Sequence, residues 1–230
     1  MVLKLYAAPA STASLRVALI LHEKAVPFEF HPIYLRNKEQ KTADFLEKNP
    51  FGQVPYIDDE GFGLYESRAI GRYIALKYAR QGTQGLIPPQ TDVQATAIFE
   101  RAASLEYAQF DAHASKIVYE RVFHTAMGLA VDEKAVKYAI DQLRAKLDVY
   151  EIILSKQAYL AGETVIDLSF AMQTVTLADL YHIPWGNLLS RAGEGASDLI
   201  TSRPSVSRWF EALVAKPSWA AVYGGISSTN

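Results

Sequence analysis

Three hydroxyl residues, Ser11, Thr12 and Ser14, follow Pro9 and lead into a run in which Leu15, Ala18, Ile20 and Leu21 recur on a helical period, with Lys24 near its stop. Ser11 is placed to cap that helix, and the unpaired amides and partial positive charge of a helix start favour an anion. A second pair, Glu66-Ser67, opens another helical stretch, where an acid and a serine are ordinary partners for unpaired amides. The chain has no cysteine, which removes disulfides, cysteine-based zinc sites and every thiol-nucleophile mechanism. Its five histidines, His22, His31, His113, His124 and His182, show no pair at metal-ligand spacing, so no metal is expected.

The elements that would hold these residues are legible in outline. Val2 to Tyr6 and Pro27 to His31 read as strands, and Thr42 to Lys48 as a short helix stopped by Asn49-Pro50-Phe51-Gly52. Gln53 to Ile57 and Gly63 to Tyr65 flank Asp58-Asp59-Glu60-Gly61, the pattern of a hairpin with a longer, glycine-containing loop. A helix from about Ser67 to Ala79 completes a βαβαββα order. The stretch from Gln81 to Gly85, continuing to Pro88-Pro89, is the one linker-like break in composition, and beyond it long proline-free stretches such as Val93 to Arg121 and Glu133 to Ser155 predict an all-α domain. The expected division is an α/β domain over 1–80, a linker over 81–91 and a helical domain over 92–230.

Charge and hydropathy exclude some partners. With 23 Lys+Arg against 25 Asp+Glu there is no basic excess to neutralise a run of phosphates, so nucleic acid is not expected. No apolar run reaches the roughly 18 residues that span a bilayer, and the N-terminal residues show no basic region followed by a long apolar one. Neither membrane nor signal peptide is expected, and the cytosol is the default compartment.

A βαβαββα unit whose first helix begins Ser-x-x-Ser resembles the thioredoxin-like fold, in which that position carries Cys-x-x-Cys or Cys-x-x-Ser. With serine at both Ser11 and Ser14 no mixed disulfide can form, but a hydroxyl still donates a hydrogen bond, so a thiolate supplied by a ligand would be stabilised there. Further motifs occur in order: Pro9 to Ser14, Asn49 to Pro55, Leu64 to Ile70, Leu147 to Glu151, Leu160-Ala161-Gly162-Glu163 and Thr176-Leu177-Ala178-Asp179. Together they resemble the glutathione transferases, the phi class above all, over essentially the whole chain.

The resemblance implies a glutathione-binding first domain, a helical domain completing the pocket for a small hydrophobic electrophile, and a homodimer to which Phe51 contributes. Ser11 matches the serine that hydrogen-bonds the glutathione sulfur and lowers its pKa; its rivals are the neighbouring hydroxyls of Thr12 and Ser14, Thr12 before Ser14, and Tyr6 at the end of the first strand. Gln53 and Val54 match residues holding the cysteinyl part, with Pro55 in cis, so that Val54 pairs with the ligand as a strand would. Glu66 and Ser67 match the pair gripping the γ-glutamyl amine and carboxylate, and Gln40 and Lys41 align with residues meeting the glycyl carboxylate. Thr12, Tyr34, Leu35, Tyr119, Phe123 and Met127 are implied to line the electrophile pocket; the spacing of four from 119 to 127 puts three of them on one helical face. The expected reactions are conjugation and reduction of organic hydroperoxides, with glutathione as co-substrate and no cofactor. A ligandin that sequesters aromatic metabolites is the alternative, in view of 13 Tyr and 10 Phe. Lowering a thiol pKa from about 8.5 by about two units takes about 2.7 kcal/mol; one hydroxyl bond to a charged sulfur supplies about 1.5–3 and the helix start about 0.3–1. Thr176 to Asp179 fits a capping box with a structural role. Relative to the family the chain carries an extra, largely apolar segment, Val165 to Thr174, expected as an irregular loop before a helix at Thr176.

Overall fold

Side chains alternate along β1 (Leu3–Ala7): Leu3, Leu5 and Ala7 are buried, while Lys4 and Tyr6 lie on the other face. In the computed structural model, which describes residues 2–162 and 174–229, β1 pairs in parallel with β2 (Phe28–Pro32) and antiparallel with β3 (Tyr56–Asp59). β3 pairs antiparallel with β4 (Phe62–Tyr65), giving a sheet of order β2-β1-β3-β4. α1 (Thr12–Glu23) makes the β1-to-β2 crossover, α2 (Ala43–Lys48) precedes β3 and α3 (Ser67–Lys77) follows β4, so the expected thioredoxin-like α/β order is present. Val17, Ala18, Leu19, Ile20 and Leu21 of α1 are all buried. A helix apolar nearly all round needs cover on more than one side, and α3 and a C-terminal helix both pack on it.

The hairpin is tighter than expected. Asp58 and Asp59 belong to β3, and only Glu60 (φ 58°) and Gly61 (φ 88°) turn, with the Gly61 N–H donating to Asp58 Oδ1 at 2.8 Å. Two successive positive φ values match the twist of paired strands, so two residues suffice where four looked like turn formers. Asp59 points inward and accepts from Tyr73 (2.9 Å), Tyr78 (2.9 Å) and Lys77 (2.8 Å). Burial pushes its carboxyl up, but these donors outweigh burial and hold it below the usual carboxylate range. Burial and Asp59 together push the Tyr78 hydroxyl up to about 12. This cluster ties the hairpin to the last turn of α3.

The chain divides into two compact units, Met1–Ile87 with Lys216–Asn230, and Pro88–Ala215. The second is helical. α4 (Val93–Leu105), a π turn over Glu106–Asp111, α5 (Ala112–Val118) and a second π turn over Tyr119–His124 run on without a break. The Leu129 N–H donates to His124 O and the Gly128 N–H to Thr125 O, with Gly128 at φ 70°, a glycine-based stop. α6 (Glu133–Leu154) is capped by Asp132, whose carboxylate accepts from the Ala135 N–H at 3.0 Å. α7 (Leu177–Leu180), α8 (Ile183–Leu189) and α9 (Pro204–Val214) are its remaining helices among the described residues. The capping box forms: the Thr176 N–H and hydroxyl both donate to Asp179. Asp179 also accepts from the Leu160 N–H and the Trp209 indole, each at 2.9 Å, which makes it a buried hub. The loop expected over 165–174 falls, apart from Thr174, outside the described residues.

The expected 92–230 helical domain needs one correction. α10 (Pro217–Tyr223) lies against α1 in the first unit, with Trp219 and Val222 buried. Its anchor is Glu23 at the end of α1, which accepts from the Thr83 hydroxyl (2.6 Å) and from the Ser218 hydroxyl and pairs with Lys216 (3.2 Å). No described helix is long and apolar enough to cross a membrane.

Candidate active site

Strand register gathers the candidate residues of the first unit. Ala7 pairs with Pro32, Tyr6 with Tyr56, and Tyr56 with Tyr65, so the ends of β1, β2 and β4 and the start of β3 share one end of the sheet. From that end leave four segments: 8–11 into α1, 33–42, 49–55, and 66–67 into α3. These segments carry Ser11, Tyr34, Leu35, Gln40, Lys41, Gln53, Val54, Pro55, Glu66 and Ser67, with Thr12 opening α1.

At the start of α1 the three hydroxyls differ. Ser14 is buried and its Oγ accepts from the Ala8 N–H at 3.3 Å, closing the turn that leads out of β1. Thr12 is buried too. Ser11 is half-buried at the N-cap (φ −71°, ψ 127°), and its Oγ accepts from the Ser14 N–H at 3.4 Å. That distance is at the long end for such a bond, so the cap is weak and the hydroxyl hydrogen is left to donate. Tyr6 is engaged elsewhere: its ring stacks on His31 (centroids 4.6 Å apart) with Tyr56 at 5.7 Å and Lys48 Nζ above it at 5.9 Å, on the sheet face opposite Leu5 and Ala7. Burial, then Asp58 and Tyr6, raise the Tyr56 hydroxyl above its ordinary pKa.

Glu66 precedes α3 at φ 72°, ψ 104°, a conformation non-glycine residues seldom adopt, and its side chain makes no capping bond. Capping therefore does not account for it. Ser67 is buried, and its Oγ accepts from the Arg16 guanidinium at 2.9 Å. Arg16, itself buried one turn into α1, so links the starts of the two helices. The sequence drew no attention to it, although a charge inside the apolar run from Leu15 to Leu21 was a signal.

The 49–55 loop is built by Asn49, which is buried, donates through Nδ2 to Gln53 O (2.8 Å) and accepts from the Phe51 N–H (3.1 Å). The Val54–Pro55 bond is cis. Lys41 Nζ donates to Phe51 O at 2.9 Å, passing so close to Gly52 that a Cβ there would lie 2.8 Å from Nζ and 2.7 Å from Gln40 O. Gln40 Oε1 is buried without a protein partner among the described residues.

In the second unit Tyr119 is exposed, and Phe123, half-buried, sets its ring edge-on to Tyr119 (6.1 Å) and beside Trp185 (6.2 Å). The shared helical face expected for residues 119, 123 and 127 is interrupted. Tyr119 and Phe123 sit in the π turn, and Met127 lies beyond the helix in the turn stopped by Gly128. Glu120 holds that π turn: its carboxylate accepts from the Asp132 N–H (3.0 Å), Lys116 (2.7 Å) and pairs with His124 (3.0 Å). The amide and Lys116 hold the carboxyl down to about 2. Among the described residues no group of three or more His, Asp or Glu is arranged to hold a metal ion.

Comparison with known proteins agrees in both units. Residues 1–76 match the glutathione S-transferase N-terminal domain and residues 110–217 the C-terminal domain. The Arabidopsis thaliana glutathione S-transferase PM239X14 is 40% identical over 211 residues, 91% of this chain and 90% of that one. The crystal structure of Populus trichocarpa glutathione transferase F2 superposes with a TM-score of 0.87 at 34% identity, covering 96% of this chain and 97% of the other. Maize glutathione S-transferase I, solved with an atrazine glutathione conjugate, superposes with a TM-score of 0.82 at 31% identity, 96% of each chain being covered. Matched in both domains and over nearly its full length by phi-type members, the chain belongs to the glutathione S-transferase family.

Proposed function

We propose that this glutathione transferase ionises glutathione against Ser11 and directs the thiolate at small hydrophobic electrophiles. Ser11 carries the proposal: it is the one hydroxyl at the start of α1 that is neither buried nor committed to a strong bond, at the positive end of a twelve-residue helix. Glutathione carries two carboxylates and an ammonium at neutral pH, so it needs donors at one end and a carboxylate with a helix start at the other. Glu66 would take the γ-glutamyl ammonium. Ser67, already accepting from Arg16, keeps its own hydroxyl hydrogen for the γ-glutamyl carboxylate. Gln53 and the Val54 backbone would hold the cysteinyl part. Lys41, with two N–H groups beyond the one given to Phe51 O, would meet the glycyl carboxylate beside Gln40.

Two reactions follow from a stabilised thiolate. Attack on an activated carbon forms the C–S bond and either expels a leaving group with its electron pair, as from an aryl halide, or pushes a C=N π pair onto nitrogen, which takes up a proton, as in an isothiocyanate. Attack on the O–O bond of an organic hydroperoxide gives a sulfenic acid and an alcohol; a second glutathione then forms the disulfide and water. The conjugate in the maize relative's structure supports the first class. Within the first unit, the exposed Tyr34 and Leu35 would contact the acceptor; within the second, Tyr119, Phe123 and Met127 are its proposed acceptor residues. The enzyme is proposed to work as a cytosolic homodimer with Phe51, 64% exposed, at the subunit contact, and to need no cofactor beyond its co-substrate. Glutathione turnover with an activated aryl halide, an isothiocyanate and cumene hydroperoxide tests this. Turnover of at least one is expected, and inertness to all three would refute it.

A further inference from the structure

β2 is an edge strand, so its outward amides need partners from outside the sheet. The outward positions are Phe28, Phe30 and Pro32. Pro32 has no N–H to offer, a common way to blunt an edge. The Phe28 N–H donates to Thr229 Oγ1 and the Phe30 N–H to Ser228 Oγ, both at 2.9 Å, while the Thr229 N–H donates to Phe28 O at 3.0 Å. Ile226, just ahead, is buried. Residues 226–229 thus lie along β2 as a strap, delivered there by α10 and its Glu23 anchor.

The destination of β2 gives this edge its importance. The Ile33 N–H donates to Ala7 O at 2.9 Å, and the chain then makes two 3-10 turns, Leu35–Asn37 and Glu39–Lys41, neither of which buries a residue. This stretch carries Tyr34, Leu35, Gln40 and Lys41. Lacking a core of its own, it is placed by its two ends: β2 on one side, and on the other the Lys41 bond to Phe51 O with the buried Phe45 of α2.

We propose that the strap positions the 33–42 segment, so that Ser228 and Thr229 are positioning residues for glutathione and that strap docking and glutathione binding reinforce each other. The inference rests on the glutathione site proposed above. Linkage makes it two-sided: if the docked strap raises affinity for glutathione, glutathione tightens the strap by the same factor.

The test is the double variant Ser228→Ala/Thr229→Val, which removes both acceptor oxygens from the β2 amides and leaves the Thr229 N–H in place. Amide exchange at Phe28 and Phe30 is expected to quicken about tenfold. KM for glutathione with an activated aryl halide is expected to rise about fivefold at unchanged kcat. Saturating S-methylglutathione should slow exchange of both amides in the wild type and not in the variant. Faster exchange with KM unchanged would reduce the strap to an edge shield and overturn the proposal, and so would exchange that the variant leaves unaltered. If calorimetry shows no S-methylglutathione binding to the wild type, the glutathione site fails and the coupling with it; binding without protection at Phe28 and Phe30 sinks the coupling alone.

Discussion

Replacing Ser11 with alanine separates the two jobs its hydroxyl can do. As an N-cap it accepts from the Ser14 N–H at 3.4 Å, so its loss costs helix stability at the low end of capping values, about 0.5 kcal/mol. As a donor to a thiolate it is worth about 1.5–3 kcal/mol, or about 1.1–2.2 units of thiol pKa. If the bound thiol of the wild type sits near 6.5, about two units below its ordinary value, that of Ser11→Ala sits at about 7.6–8.7. At pH 6.5 the thiolate fraction then falls from about one half to between about 7% and 0.6%, and turnover falls about 7- to 80-fold. The sign fixes the pH dependence: the deficit is full below the wild-type thiol pKa and closes as pH rises past that of the variant. The assay is the ultraviolet absorbance of the bound thiolate against pH, beside kcat against pH with an activated aryl halide. Ser11→Gly serves as a control, because glycine keeps most of the capping preference and lacks the hydroxyl; it should match Ser11→Ala in turnover. A bound thiol with the same pKa in wild type and Ser11→Ala would refute the assignment and turn attention to Thr12 or Tyr6.

Gly52→Ala is expected to raise KM for glutathione and lower Tm, because alanine at φ 57° costs about 1–2 kcal/mol and its Cβ would lie 2.8 Å from Lys41 Nζ; an unmoved KM would take Lys41 out of the site. Asp179→Ala leaves the Leu160 and Thr176 amides and the Trp209 indole without their acceptor, at about 1–3 kcal/mol each. Its denaturation midpoint should show a loss of at least about 3 kcal/mol, and a loss under about 1 would contradict the hub. Glu120→Gln should destabilise the fold most above pH ~4.3, the ordinary glutamate value, since the native carboxyl is held down to about 2. The gap in midpoint from wild type should close as pH falls through that window, and a gap that stays constant to pH ~2 would refute the role of the charge.

Elements with a cause inside a few residues were legible in the sequence. Ser11 before an apolar period, Thr176 three residues ahead of Asp179, the alternation over Pro27 to His31 and the Asn49 to Gly52 break each act through neighbours on the chain, and each forms its element within a residue of the expected place. Long-range partners decided the rest. Asp58-Asp59 looked like turn because aspartate favours turns, yet Asp59 faces inward to Lys77, Tyr73 and Tyr78 from another element. Extrapolating a spacing of four to Met127 failed because a π turn adds a residue and Gly128 stops the helix; the glycine was visible, the π turn was not. Glu23 is the most instructive miss. An acid in the last turn of a helix opposes the helix dipole, and one that persists there needs a partner from elsewhere. The partners are Thr83, Lys216 and Ser218, which bring the end of the chain back to α1. Arg16 follows the same logic, a buried charge in an apolar run satisfied by Ser67 at the start of α3. Residues that break a local preference were thus the sequence's pointers to tertiary structure: Asp59 marks where the hairpin meets α3, Glu23 where the C-terminal return lands, and Arg16 where the starts of α1 and α3 meet.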